Sequence, residues 1–482
     1  MNAMEITAKK IEAIAPNADA AKNGQDLVRK NKFSNLKISA EKNLIWGECA
    51  GSGKNPYQCS ADYMDEQNPV FRCNCPSRQF PCKHAIGLLY AYEQGKTFEV
   101  AETPADIRAK REKIEKKQEK KEQVKESIKE KAEKPKKPNA AAFTKKIAAQ
   151  LAGIEIAEKI LKDAVLTGLS SIDDKIARTL QAQIKELGNY YIGGIQSAFN
   201  DLLLELNKVK NEEYTAVINQ INYISALLKK SAEYLNSRKA APEAPPELHS
   251  AIEEQIGYAW KLMELMQYGL WEANAELVQL SFNTYDEQAR KAYVNEGIWL
   301  NLKTGNLYKT KNYRPYKAVR YIREDDSSFN VLQVKELFIY PGEPNPRVRW
   351  ETEGTQERKL EQKDLASILS FADGDYAETI KSVKNTIKNP LMDKNPVVLL
   401  SLHKACLNGE NLVIEDTQGN KLTLKDMDAQ RFSSAAGLKA VLPAQCGDMA
   451  LLAMMNNDVP TNFLFAQPLS LITSEKIIRL IY

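Results

Sequence analysis

The chain has 482 residues, 43% of them hydrophobic and 27% charged, with a formal net charge of +4. That balance suits a soluble protein with ordinary cores in about three domains, and it excludes a membrane span, since no apolar run approaches the roughly 20 residues one requires. The odd count of seven cysteines and the absence of a secretory-type apolar stretch after Met1 lead to the expectation of a reducing, cytoplasmic setting.

Residues 1–31 read as one or two short helices. Strands follow at Phe33–Ser39, Asn43–Cys49 and Tyr57–Tyr63. Gly51-Ser-Gly-Lys54 stands between the second and third strands. A phosphate loop would need Gly at 48 and Ser or Thr at 55, where Glu48 and Asn55 stand, so a turn is expected.

The most specific chemistry lies in Cys73-Asn-Cys75-Pro-Ser-Arg-Gln-Phe-Pro-Cys82-Lys-His84, a C-x-C-x6-C-x-H spacing. Three thiolates and an imidazole complete a tetrahedral zinc shell with no position left for water, the mark of a structural site. Cys73 and Cys75, two apart, project from one face of an extended segment, and Pro76 ends it by withholding an N–H. Cys82 and His84 are also two apart, which on one helix would splay them by about 200°. Cys82 is therefore expected in the turn after Pro81, with His84 in the first turn of a helix that stops at Gly95, giving a small β-β-α module. The competing reading is a disulfide or inert buried thiols, but a Cys73–Cys75 bridge would strain so short a loop. Cys49, Cys59, Cys406 and Cys446 read as small buried residues, with Cys49 or Cys59 as an alternate ligand the other possibility. Zinc is expected to supply on the order of 10 kcal/mol to folding.

This pattern, with Trp46-Gly-Glu-Cys-Ala-Gly-Ser-Gly-Lys-Asn-Pro-Tyr57 upstream, resembles the bacterial SWIM zinc finger family over roughly residues 44–95. The resemblance implies Zn²⁺ on Cys73, Cys75, Cys82 and His84 and a role in binding DNA or proteins. It also implies association with MoxR-type AAA+ ATPases and von Willebrand factor A proteins, and no enzymatic activity.

Residues 107–137 hold fourteen Lys and Arg against seven Glu, a balance of +7, leaving −3 for the rest of the chain. The segment has helix propensity but almost no apolar stripe. It reads as a solvated linker, with a basic arm on nucleic acid phosphates as the other reading. From Phe143 the pattern is helical, with apolar stripes through Ile147, Leu151 and Ile154; Ile172, Ile176, Leu180, Ile184 and Leu187; Tyr191, Ile195, Phe199, Leu202 and Leu206; and Val217, Ile221, Ile224 and Leu228. After Pro242–Pro246 a last helix is expected to carry Ile252, Ile256, Ala259, Leu262 and Leu265, with His249 at the surface.

After Trp271 the period shifts towards two. Hairpins are expected at Gly297–Thr310, turning at Thr304-Gly305, at Glu336–Tyr340 with Arg347–Trp350, and at Asn411–Leu424. Val397-Val-Leu-Leu is read as part of a short helix in which His403 packs. The expected organisation is thus an α+β multidomain chain: a zinc finger module at 1–105, a charged linker at 106–142, a helical bundle at 143–278 and a β-rich α+β domain at 279–482.

Residues 303–323 hold seven Lys and Arg, four Tyr and no acid. Lys309, Lys311, Arg314, Lys317, Arg320 and Arg323 could track a phosphate backbone while tyrosines stack on bases. The competing reading is a strand pair with tyrosines packed inward and cations in water. Arg72, Arg78 and Lys83 form a smaller basic group beside the zinc ligands. Only three histidines exist, and hydrolase, metalloprotease and intact P-loop signatures are missing, so no catalytic residue, small-molecule substrate or organic cofactor is expected. Two functions compete: a nucleic-acid-binding protein, with DNA the first partner to test, and an adaptor for protein partners of an ATPase system.

Overall fold

The computed structural model describes residues 4, 6–51, 55–64, 69–77, 80–112, 140–209, 213–319, 327–342, 344–409, 411–427, 433–442, 446–458 and 461–481. Most of the basic linker and Ser52–Lys54 of the expected turn lie outside these residues. The chain divides into two compact units, Met1–Ser127 with Lys317–Arg323, and Ile128–Tyr316 with Glu324–Tyr482.

In the first unit, α1 (Ala8–Ile14) is capped by Thr7 and α2 (Ala18–Arg29) by Asn17, whose Oδ1 accepts from Ala20 N at 2.7 Å. Strands β1 (Phe33–Ile38), β2 (Leu44–Cys49), β3 (Tyr57–Asp62) and β4 (Val70–Cys73) form an antiparallel sheet, with β5 (Glu99–Val100) added parallel to β1 in the order β4-β3-β2-β1-β5. Helix α3 (Lys83–Glu93) packs between this sheet and α2, and every residue from His84 to Ala91 is buried. The close crossing uses two glycines: a Cβ on Gly24 would lie 2.9 Å from Ile86 Cγ2, and one on Gly87 would lie 3.0 Å from Gly24 O. The expected strand-strand-helix unit is therefore one corner of a five-stranded α+β layer. Helix α3 ends as its sequence requires. Gly95 takes φ +73°, Gly95 N–H bonds Tyr92 O and Lys96 N–H bonds Ala91 O, a complete Schellman ending.

The second unit opens with α4 (Ala140–Thr167), α5 (Asp174–Glu186), α6 (Gly193–Lys208) and α7 (Thr215–Ala240), whose apolar stripes meet in one core around Ile154, Ile184, Phe199 and Ile224. The helix expected over 252–265 is broken into α8 (Ile252–Ile256) and α9 (Leu262–Gln267). Gly257, at φ +131°, makes the break, and the end of α8 abuts the start of α6 so closely that a Cβ on Gly194 would lie 2.2 Å from Gln255 O. The apolar spacing runs through this break, so sequence periodicity did not reveal it.

Strands β6 (Trp271–Glu287), β7 (Ala292–Asn301), β8 (Leu307–Pro315), β9 (Val331–Ile339) and β10 (Val348–Arg349) form a sheet ordered β10-β9-β6-β7-β8, with β11 (Gln356–Arg358) also on β9. Lys309 N–H donates to Pro346 O at 3.0 Å, bringing the segment before β10 against β8 and curling the sheet towards a barrel. Strand β6 runs across the division expected between 278 and 279, starting where the period changes at Trp271.

A third sheet, ordered β12-β16-β17-β15-β14-β13, takes in β12 (Val397–Leu402), β13 (Lys404–Asn408), β14 (Asn411–Glu415), β15 (Lys421–Leu424), β16 (Met449–Asp458) and β17 (Phe463–Ile472), with β18 (Ile477–Arg479) on β17. Helices α10 (Gln362–Ser370), α11 (Tyr376–Lys388) and α12 (Ser434–Val441) accompany it. The Val397-Val-Leu-Leu segment is strand β12, paired with β16 from Val397↔Met454 to Leu402↔Met449. This corrects the short-helix expectation, because a brief apolar run takes its conformation from the strand beside it. His403 falls between strands and is exposed.

Candidate metal centre

Cys73 is the last residue of β4, paired across the sheet with Cys59. Asn74 extends the pairing by one residue, its N–H donating to Gln58 O at 3.2 Å and its Oδ1 accepting from Gln58 N at 2.9 Å. Cys75 then leaves the sheet ahead of Pro76. From the other side Cys82 is the N-cap of α3, in extended conformation at φ −76° and ψ 165°, and His84 sits in the first helical turn. The placement inferred from the two-residue spacing is realised.

The three Sγ atoms and the His84 nitrogen lie within 4.8 Å of one another. His84 Nδ1 is 3.9 Å from Cys73 Sγ and 3.8 Å from Cys82 Sγ, so Nδ1 is the nitrogen facing the cluster. Zinc at about 2.3 Å from sulfur and about 2.0 Å from nitrogen in a tetrahedron needs S–S edges of roughly 3.8 Å and S–N edges of roughly 3.5 Å, so the cage fits with a contraction of at most about 1 Å. Cys82 and His84 are buried, Cys73 and Cys75 half-buried, and the Tyr57 ring packs on the imidazole at 4.8 Å. The Cys82 thiol is drawn well down by the hydrogen bond it accepts from Cys73, with burial opposing and His84 and the Ala85 N–H assisting. Cys73, the donor, is pushed up correspondingly. The sulfurs share protons that a metal ion would replace, as thiolate ligation requires.

Cys49 and Cys59 stand outside the cluster. Burial pushes the Cys49 thiol up to about 11 and Cys59 well above its ordinary value, and Cys59 Sγ lies 3.4 Å from Gly47 O as a donor. They are neutral core thiols.

Among the described residues, the cations singled out from sequence differ in burial and in partners. Arg72 Nη1 bonds Asp62 Oδ2 at 3.1 Å, Lys83 is exposed at the start of α3, and Arg78 lies outside the described residues. Lys309 is buried and paired with Asp393, while Lys311 pairs with Glu296 at 3.2 Å. Arg314 is buried with its guanidinium 5.8 Å from the Tyr293 ring centre. Lys317 is exposed, and Arg320 and Arg323 lie outside the described residues. Strand alternation puts Lys309 and Lys311 on one face and Arg314 on the other. Tyr308 is buried and donates its hydroxyl to Glu272 at 2.7 Å. His249 is exposed, as expected.

Sequence reading missed Asp62, a 3% exposed carboxylate that receives Arg72 and, from the first turns of the basic segment, Arg111. Its one signal is that it is the single charged residue of β3; Arg111 is too distant in sequence for spacing to reveal.

Among the described residues no helix is long and apolar enough to cross a membrane. No curated protein matches the chain. The SWIM zinc finger family matches residues 72–93, the stretch from Arg72 through α3 that carries all four ligands. Residues 72–93 are therefore a SWIM zinc finger, and its Cys73, Cys75, Cys82 and His84 suit one structural zinc ion.

Proposed function

We propose that this protein is a non-enzymatic binding protein in which zinc holds the N-terminal unit together and nucleic acid is the ligand, DNA being the first to test. The observation that carries this reading is the closed ligand set with an exposed cation between two of its ligands. Four protein ligands leave no position for a reacting water, while Lys83, between Cys82 and His84 in the chain, is exposed, as is Lys32 just before β1. The sequence continues from this unit into the segment carrying +7 between 107 and 137. When bound, zinc supplies cross-linking of β4 to α3 and no chemistry on a ligand.

The test is fluorescence anisotropy of labelled duplex and single-stranded DNA against zinc-loaded full-length protein at several salt concentrations. Submicromolar binding with a steep negative salt slope, weakened by Cys82→Ser and by Lys32→Glu with Lys83→Glu, supports the reading. Absence of binding at low salt, with zinc still bound one per chain, removes it.

A second reading, an adaptor for protein partners of the MoxR-type ATPase kind, draws on β13, an edge strand of the third sheet with Leu407 54% exposed. Capture of such an ATPase by protein that does not bind DNA would favour it.

A further inference from the structure

The second unit carries a basic groove that the sequence motifs do not mark. It has a volume of about 870 Å³ and lies between α5, α6 and the turn joining β6 to β7. Arg178 and Lys185, seven apart on α5, fall on one helical face, and Lys291 enters from the turn. All three are exposed, and among the described residues none forms an ion pair. Asp174 is the one acid in the lining, and amides such as Gln181, Asn200 and Gln288 fill much of the remainder.

The same turn leads to an aromatic platform. Tyr316 N–H donates to Lys291 O at 2.9 Å, and the Tyr316 and Tyr293 rings lie 5.3 Å apart at 56°. Both are solvent-facing, Tyr293 39% and Tyr316 40% exposed. Asp286 accepts the Tyr316 hydroxyl and so orients that ring, and the Arg290 guanidinium stands 5.0 Å from the nearby Tyr313 ring centre. Glu287 is neutralised by Arg290 at 2.8 Å.

We propose that this surface binds single-stranded nucleic acid, with backbone phosphates along Arg178, Lys185 and Lys291 and bases against Tyr293 and Tyr316. Cations without acidic partners track a phosphate backbone, and exposed rings stack on any base irrespective of sequence. A duplex keeps its bases paired and offers the platform nothing. The inference rests on the reading of the protein as a nucleic acid binder, and it moves part of that binding from the zinc unit to the second unit.

The experiment measures anisotropy of a labelled oligothymidylate and of a matched duplex on full-length zinc-loaded protein, with a poly-glutamate peptide as competitor. Two variants are compared with wild type: R178E/K185E/K291E, and Y293A/Y316A. Every altered side chain is exposed, and circular dichroism with thermal melting verifies that each variant folds. The charge variant is expected to lose at least about tenfold in oligothymidylate affinity and to flatten the salt slope by about 2. The tyrosine variant is expected to lose roughly tenfold on the single strand and to leave duplex binding unchanged. If both variants bind like wild type while K32E/K83E does not, this surface is overturned and the zinc-unit reading stands. Poly-glutamate competing as well as oligothymidylate, or a tyrosine variant with unchanged affinity, also overturns it. No binding of either DNA by wild type overturns both proposals.

Discussion

Arg111 closes on Asp62 across 49 residues of chain, Nη2 to Oδ1 at 2.6 Å and Nε to Oδ2 at 3.1 Å. Arg72, the neighbour of ligand Cys73, bonds the same carboxylate at 3.1 Å, and Arg111 also reaches Asn43 Oδ1 at 3.2 Å. One buried acid thus ties the strand bearing a zinc ligand to the beginning of the basic segment. Residues 105–112 are helical and Ile107 is buried, so the first turns of that segment belong to the folded unit and not to a solvated tether.

Replacing Asp62 with Asn leaves two guanidinium groups facing a neutral amide. The expected loss is about 2–4 kcal/mol in the N-terminal unit, moderated because both arginines keep partial access to water. Chemical denaturation of wild type and Asp62→Asn measures it, and equal midpoints would show the clamp to be decorative.

The same pair sets an acid limit. Burial pushes the Asp62 carboxyl up, but the hydrogen bonds and charge of Arg111, joined by Arg72, outweigh it and hold the group below the usual carboxylate range. Stability from a depressed carboxylate is present above the unfolded value of about 3.9 and is lost as pH falls through the folded value. The wild-type unit should therefore lose this contribution below about pH 4, whereas Asp62→Asn should show a flatter acid profile. Melting temperatures between neutral and acid pH decide the matter.

Zinc stoichiometry separates the ligands from the bystander thiols. Cys49→Ala and Cys59→Ala should each retain one zinc per chain, while Cys82→Ser and His84→Ala should lose tight binding and melt the N-terminal unit. Structural zinc contributes on the order of 10 kcal/mol, more than so small a core can replace. Elemental analysis after gel filtration is the readout, and a zinc-free Cys59→Ala protein would place that thiol in the shell.

Gly87→Ala tests the crossing that positions His84. The added methyl would meet the Phe33 ring at 2.8 Å and Gly24 O at 3.0 Å, and backbone cannot yield as a side-chain tip can. A loss of about 1–3 kcal/mol with weakened zinc affinity is expected. Unchanged zinc affinity in competition with a chelator would mean that α3 tolerates a shift without moving its ligands.

Lys309→Met distinguishes structural from ligand-binding cations. Burial pushes the Asp393 carboxyl up and the adjacent Lys309 more than reverses it, so removing the lysine should lower stability by about 1–2 kcal/mol. DNA affinity and its salt slope should not change, since Lys309 is 7% exposed. A reduced slope would restore the strand β8 lysines as phosphate contacts.

By itself the sequence determined whatever depends on neighbours within a few positions. The four ligands fall within twelve positions, so their meeting needs only a turn between a strand end and a helix start. The helix stop at Gly95, the stripes of α4 to α7 and the hairpin turn at Gly305 are likewise short-range, fixed by 3.6-residue periodicity and by positive φ. Only the tertiary structure decided which cations are free. Lys309, Lys311 and Arg314 read as one basic run, but β8 sends them to two faces and supplies Lys309 with Asp393 and Lys311 with Glu296. Arg178, Lys185 and Lys291 carry no motif and become a surface because α5 packs beside the β6–β7 turn. Val397–Leu402 became a strand because β16 lay beside it. The physical reason is common to these cases: periodicity encodes how a segment meets its immediate neighbours, whereas a charge's partner and a short apolar run's conformation are set by whatever distant chain the fold brings alongside.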